Sequence, residues 1–449
     1  MKSQSIRPLY RKLGLFSVFA IIVADMIGTG IFTTSGLAME QVKSPYLMVA
    51  LWVAGGFVAL AGALCYAELS TAMPFAGGEY IYLSRLFHPS LGFLSGWISF
   101  IVGFSAPLAA VAIGMSEYIV QAFPGLTTPG EVLGFQSDLF FQKFLAISVI
   151  VIFTLIHLQG VKTGSRIHNG LTWLKIILIL GLLIVGFSSG EGSFQHFQLS
   201  AGSSLSFTTI KPIGLSVIWI MFAYSGWNAA AYIGSEVRNP SRNLPRALIL
   251  GTAVVLVVYL LINILFVYAL PPSEMDGVIA IGGKAVKALF SPAFGRVFSG
   301  IIALILFSTI SSLIFLGPRV YYAMAGEGHF FRFASRVNSK GVPALSILIQ
   351  AALAVIIALV GAFDQILTYM GLSLSIFPLL AVVGVFKLHR SRAVVYRSPL
   401  YPVMPVFFIT TSVLMIFLSI SERPVESSFA LGTLLIGIPL YVLFKRKRK

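Results

Sequence analysis

GLFSVFAIIVADMIGTGIFTTSGLAME, Gly14 to Glu40, decides how the rest of the chain is read. The stretch is apolar enough to cross a bilayer. It nevertheless carries an acid, Asp25, and a Gly-Thr-Gly break, Gly28 to Gly30, at its centre. Glycine in a helix interior costs about 1 kcal/mol relative to alanine. A carboxylate at mid-bilayer costs about 2.5–3.5 kcal/mol on insertion scales. Irregular backbone at membrane depth is tolerated only where it is buried in protein or lines a water-filled cavity. The stretch therefore reads as a membrane helix that is meant to be broken, with a ligand in the break.

Composition agrees. The 449 residues are 57% hydrophobic and 10% charged, with mean hydropathy +0.93, whereas a soluble chain carries about 25% charged residues. Apolar runs of about 20 residues, enough to cross the hydrocarbon layer, recur from end to end. About twelve spans are expected, over roughly 14–38, 45–72, 90–120, 140–159, 168–187, 210–234, 246–270, 297–324, 343–361, 364–386, 402–420 and 428–444. A membrane β-barrel would show short alternating segments instead. Neither a separate soluble domain nor a cleavable leader is expected: MKSQSIRPLYRK runs into a full-length span without a small-residue cleavage pattern. The one cysteine, Cys65, lies in an apolar run and forms no intramolecular disulfide. The six histidines are scattered, so no metal site or other cofactor is expected.

The net charge of +16 follows topology rather than nucleic acid. Most of the 31 basic residues fall in alternate loops. These include Lys2, Arg7, Arg11 and Lys12 before the first span, Arg238, Arg242 and Arg246 after the sixth, and the tail from Lys445 to Lys449. Acids such as Glu131, Asp138, Glu191, Glu274, Asp276, Glu422 and Glu426 mark the other loops. By the positive-inside rule both termini face the cytoplasm, and the basic tail favours anionic lipid.

A second interruption lies in KPIGLSVIWIMFAYSGWNAAAYIGSE, Lys211 to Glu236, where Ser225-Gly226-Trp227-Asn228 breaks a span that is expected to resume. Interruptions in spans 1 and 6 are corresponding positions of two five-span halves, the pattern of an inverted-repeat transporter. The expected domains are a cytoplasmic segment 1–13, a first repeat 14–187, a second repeat 210–386, two further helices over 402–444, and a basic tail 445–449.

IGTGIF (Ile27–Phe32), CYAELSTAMPFAGGEYIYL (Cys65–Leu83), FAYSGWN (Phe222–Asn228), SEVRNPSRNLPRAL (Ser235–Leu248), PRVYYAMAGEGHFF (Pro318–Phe331) and GVPALSI (Gly341–Ile347) resemble, in order, motifs of the amino acid–polyamine–organocation superfamily. The likeness is greatest to its L-amino-acid transporter branch. The resemblance implies an all-α polytopic fold of the LeuT type. That fold is a five-plus-five inverted repeat with helices 1 and 6 unwound, followed by two C-terminal helices, and its activity is amino-acid transport.

A broken helix offers free N–H groups where it resumes and free carbonyls where it stops, which attract anions and cations respectively. A substrate carboxylate is therefore placed on the amides of Gly28, Thr29 and Gly30. Its ammonium is placed on carbonyls near Ala24 and Ile27 and around Phe222, Ala223 and Ser225. The competing reading is that the glycines serve tight helix packing. Two readings of Asp25 stand: a site for an ammonium, a cationic side chain or a proton, or a protonated or lysine-paired structural acid. Lys175, the only lysine inside a span, resembles the helix-5 lysine of sodium-independent members and is expected to supply a positive charge or a proton; snorkelling is the alternative. The resemblance implies that Phe222 is an aromatic lid, while composition alone makes it one of 37 phenylalanines. Gly226, Trp227 and Asn228 line the pocket or brace the unwound segment. Ser311 and Ser312 hydrogen-bond Lys175 or the first helix, or simply pack. Glu68 and Glu236 form gating pairs with Arg238 or a loop arginine, or are solvated at the interface.

The expected function is sodium-independent secondary transport of amino acids across the cell membrane by alternating access, through exchange or proton symport. Small residues at the second break (Ala223, Ser225, Gly226, Ala229, Ala230) suit neutral substrates. Asp25, the only acid expected in the cavity, makes cationic amino acids or amines the alternative. A non-transporting amino-acid sensor is the alternative of another class. No phosphate-binding loop, filter motif or H-E-x-x-H cluster supports an ATP-driven pump, a channel or an enzyme. Partners are the substrate, the bilayer and protons, with no nucleic acid. No disulfide-linked partner subunit is expected, because Cys65 is not in an outer loop.

Overall fold

In a computed structural model, residues 9–126, 131–132, 135–188, 191–198, 210–278, 281–360, 363–392, 394–422 and 424–446 are described. Lys2, Arg7 and the tail residues 447–449 lie outside the described residues. The helices are α1 (Leu15–Met26), α2 (Gly30–Val42), α3 (Pro45–Ala72), α4 (Glu79–Leu86), α5 (Pro89–Ile98), α6 (Ala106–Ala122), α7 (Ser137–Leu158), α8 (Val161–Ser188) and α9 (Ile210–Ala223). They continue with α10 (Pro240–Ala269), α11 (Pro272–Met275), α12 (Ile281–Leu289), α13 (Pro292–Gly326), α14 (Ala344–Val360), α15 (Phe363–Arg390), α16 (Val403–Glu422) and α17 (Pro424–Arg446). A two-residue β pair, Glu131–Val132 with Phe135–Gln136, precedes α7.

Local chemistry sets the starts of several spans. Ser44 and Ser291 accept from the amides of Leu47 and Phe294, each with a proline at the first helical position. The serine oxygen satisfies an amide that the helix cannot, and proline has no amide to leave unsatisfied.

Nine stretches among the described residues are long and apolar enough to span a membrane. Two shorter apolar helices, Ile213–Ala223 and Ala344–Val360, together with α15 account for the remaining expected spans. Pro89–Ala122 and α13 are each buried over 72% of their most apolar window, against 22% for α16 and 17% for Ser427–Lys445. The first pair forms the centre of the bundle and the second its rim. There Phe417, Leu435 and Ile436 stay exposed, which costs nothing in hydrocarbon because lipid tails are as apolar as leucine.

The first interruption falls where expected, between Met26 and Gly30. The second differs: after α9 the chain does not resume as an α-helix but forms two 3₁₀ turns, Ala229–Tyr232 and Gly234–Glu236. Neighbouring backbone takes up its polar groups instead. Gly77 N donates to Tyr232 O at 3.1 Å, and Ala76 and Ile233 form an antiparallel bridge. On the other side, Lys12 N and Leu13 N both donate to Glu236 O at 2.9 Å, and Arg238 N donates to Leu13 O at 2.8 Å. The entry to the first broken helix is thus sewn to the exit of the second break.

The expected gating pairs are corrected. Glu236 pairs with Arg319 of α13, not Arg238, with Nε 2.7 Å from Oε1 and both side chains buried. The Glu68 carboxylate lies 2.5 Å from His389 Nε2 and accepts from Ser398 N at 2.8 Å, and among the described residues no arginine pairs with it.

Candidate functional site

The two interruptions meet. A Cβ built on Gly30 would lie 2.6 Å from Ala223 Cα. The start of α2 therefore touches the last residue of α9 backbone to backbone, which only glycine permits. At Gly226 φ is +95°, and a Cβ there would lie 2.7 Å from Asp25 Oδ2; glycine adopts that left-handed backbone at no steric cost. Tyr259 Oη of α10 lies 2.5 Å from Met26 O and 2.9 Å from Ala223 O, so one hydroxyl proton serves the stopped ends of both helices.

Beside these ends is a cavity of about 120 Å³. Asp25, Gly28, Thr29, Gly30, Phe222, Ala223, Ser225, Gly226, Trp227 and Asn228 all line it, which brings most of the sequence-derived candidates together. Among the described residues, the amides of Thr29 and Gly30 have no backbone acceptor, as expected at a helix start, whereas the Gly28 amide, also expected to be free, donates to Met26 O at 2.9 Å. Phe222 is half-buried in the wall. Trp227 packs edge-on against Tyr66, ring centroids 4.8 Å apart, and against Phe408 at 5.5 Å. It thereby fixes the unwound segment.

Ala24 and Ile27 do not line the cavity, and their carbonyls are already occupied. Lys175 Nζ, fully buried, donates to Ala24 O at 3.0 Å, to Ile27 O, and to Thr309 Oγ1 at 2.9 Å. All three ammonium protons are used, so Lys175 satisfies the end of α1 from behind the cavity wall rather than snorkelling. Among the described residues it forms no ion pair with Asp25, although the two interact electrostatically.

The serine expectations resolve separately. Ser312 Oγ lies 3.5 Å from Ile21 O of the first helix, and Ser311 Oγ lies 2.9 Å from His157 Nε2. Neither reaches Lys175; its hydroxyl partner is Thr309, which also donates to Ile27 O at 2.9 Å.

Asp25 is not the only acid in the wall. Glu79 lines the same cavity, 2% exposed, accepting from Tyr66 Oη at 2.7 Å and from Asn228 Nδ2 at 2.5 Å. Its sequence signal was the acid after Gly77-Gly78, both at positive φ. A further wall comes from a π-helical stretch, Ser99–Ser105, through Ser99, Gly103 and Phe104. Pro107 follows it and cannot donate to the preceding turn. Such π segments recur at functional sites.

The family model described as amino acid permease matches residues 13–443. The b(0,+)-type amino acid transporter 1 of Mus musculus is 30% identical over 445 residues, covering 97% of this chain and 88% of that protein. The Asc-type amino acid transporter 1 of Mus musculus is 27% identical over 447 residues, covering 97% and 81%. The large neutral amino acids transporter small subunit 2 of Homo sapiens is 27% identical over 448 residues, covering 97% and 80%.

Proposed function

The chain belongs to the amino acid permease family, and we propose that it is a sodium-independent secondary transporter of amino acids across the cell membrane, working by alternating access as an exchanger or proton symporter. One observation carries the reading: two interrupted helices, α1/α2 and α9, touch at Gly30 and Ala223 beside a cavity that both line. Unpaired amides at a half-helix start suit a carboxylate, the arrangement that transporters with broken helices use. In this reading residues 14–187 and 210–386 are the two inverted repeats, and both termini are cytoplasmic.

Sodium-independence rests on Lys175. Carbonyls of unwound helix ends coordinate a coupling cation in sodium-driven relatives of this architecture. Here the ammonium already binds Ala24 O, Ile27 O and Thr309 Oγ1. The small residues of the second break suit a neutral side chain. The second acid, Glu79, favours a basic one. Cys65 is buried in α3, which supports a chain working without a disulfide-linked partner.

The test is uptake of a labelled amino-acid panel into sodium-free proteoliposomes, with and without internal unlabelled amino acid and with and without an inward proton gradient. Uptake that requires internal amino acid means exchange. Uptake driven by the proton gradient alone means symport. No uptake of any amino acid sinks the transport reading and leaves the sensor.

A further inference from the structure

Among the described residues two carboxyl groups line the cavity, and each has a buried oxygen that makes no hydrogen bond: Oδ1 of Asp25 and Oε2 of Glu79. Oε1 of Glu79 is satisfied twice, by Tyr66 and Asn228. Tyr232 interacts with the same carboxyl group but gives Oε2 no hydrogen bond of usable geometry. A buried polar atom without a partner costs about 1–3 kcal/mol, and more when charged, so each of these oxygens calls for a donor that the chain itself does not supply. Among the described residues the wall contains no lysine or arginine. Lys175 lies outside it with all its protons committed.

We propose that Glu79 sets the specificity of this cavity, its Oε2 receiving the side-chain cation of a basic amino acid whose α-ammonium meets Asp25. The inference rests on amino-acid transport through this cavity. Asp25 abuts Gly226, while Glu79 is bonded to Asn228, two residues further along the second break. Ala229 N donates to Gly226 O at 3.0 Å, so this stretch is a turn, and it brings both carboxyl groups to one cavity wall. The two nitrogens of lysine, six bonds apart, reach about 7 Å at ordinary bond lengths, so one basic amino acid can address two separate acids on one wall. The substrate carboxylate then takes the amides of Thr29 and Gly30. A neutral side chain would leave Oε2 unpaired, and a diamine would leave the amides unpaired. Each ligand class therefore forfeits an identifiable anchor, and an unpaired buried group discriminates more sharply than a change in apolar contact.

The test compares binding of L-lysine and L-norleucine, the same carbon chain without the ε-ammonium, to the purified full chain in sodium-free detergent by calorimetry. Lysine is expected to bind at least about tenfold tighter, the scale of one charge-assisted hydrogen bond. In Glu79→Gln that preference is expected to fall to near unity. Equal or tighter norleucine binding by the wild type overturns the proposal, as does a lysine preference that survives Glu79→Gln. 1,5-Diaminopentane binding as tightly as lysine overturns the carboxylate anchor and makes the ligand an amine. The wild-type ratio needs no variant, so it decides the question even if Glu79→Gln does not fold. Uptake of norleucine without lysine removes this proposal while leaving the transport reading in place.

Discussion

At Gly30 a single methyl group tests the meeting of the two broken helices. A Cβ there falls 2.6 Å from Ala223 Cα, which is backbone and cannot rotate away. At Gly28, two residues earlier, a Cβ would meet only Thr309 Cγ2 at an ordinary 3.5 Å. Gly30→Ala is expected to destabilise the fold by about 1–3 kcal/mol through overpacking, lower the apparent melting midpoint in detergent and abolish uptake. Gly28→Ala is expected to melt near the wild type. Equal midpoints for the two would remove the backbone contact from the argument. Lys175 is the other residue with a sharp expectation. Lys175→Met leaves Ala24 O without its side-chain donor and Ile27 O with Thr309 alone, at about 1–3 kcal/mol for each buried acceptor left unsatisfied. Uptake should be lost and the midpoint lowered; a variant with full uptake would take Lys175 out of the mechanism.

The element that follows the second break is held by a buried ion pair. Arg319 Nε lies 2.7 Å from Glu236 Oε1, Nη1 donates to Phe315 O at 2.5 Å, and the guanidinium sits 3.8 Å over the Phe315 ring. Removing one partner strands the other charge in a dry interior, typically at about 3–5 kcal/mol. Arg319→Met should therefore melt well below the wild type, and the double variant Arg319→Met/Glu236→Gln should recover most of that loss. A double variant no better than the single would mean that the charge pair is not what holds the segment. The pair also shows what a sequence reveals at this scale. Both interruptions were legible, because Gly-Thr-Gly and Ser-Gly-Trp-Asn contradict a membrane helix locally, whatever surrounds them. The 3₁₀ exit of the second break was not, because its backbone partners are Gly77 and Leu13, which are remote in sequence. Glu236–Arg319, Glu79–Asn228 and Lys175–Thr309 were hidden for the same reason. Each joins residues 83 to 149 positions apart, and no local pattern names the remote partner of such a side chain, even where, as at Glu79, the acid itself stands out.

For the whole molecule, the remaining expectation is which way it sits in the bilayer. By the positive-inside rule Arg242, at the start of α10, is expected in the cytoplasm. The 30 residues of α10 rise about 45 Å, so Glu274, just beyond its end, is expected on the opposite face. Both side chains are exposed, and the one native cysteine, Cys65, is buried at 1% exposure. Cysteine accessibility therefore reads orientation against a silent background. Intact cells carrying Glu274→Cys should react with a membrane-impermeant maleimide, whereas Arg242→Cys should react only after permeabilisation. The reverse pattern would invert the topology and place the basic loops outside, against the charge rule. Labelling of both sites in intact cells would mean dual insertion. Only the expected pattern leaves the entry of α1 and the exit of the second break, sewn together through Leu13, Glu236 and Arg238, on the cytoplasmic side. There they must part for a substrate to leave the cavity inward.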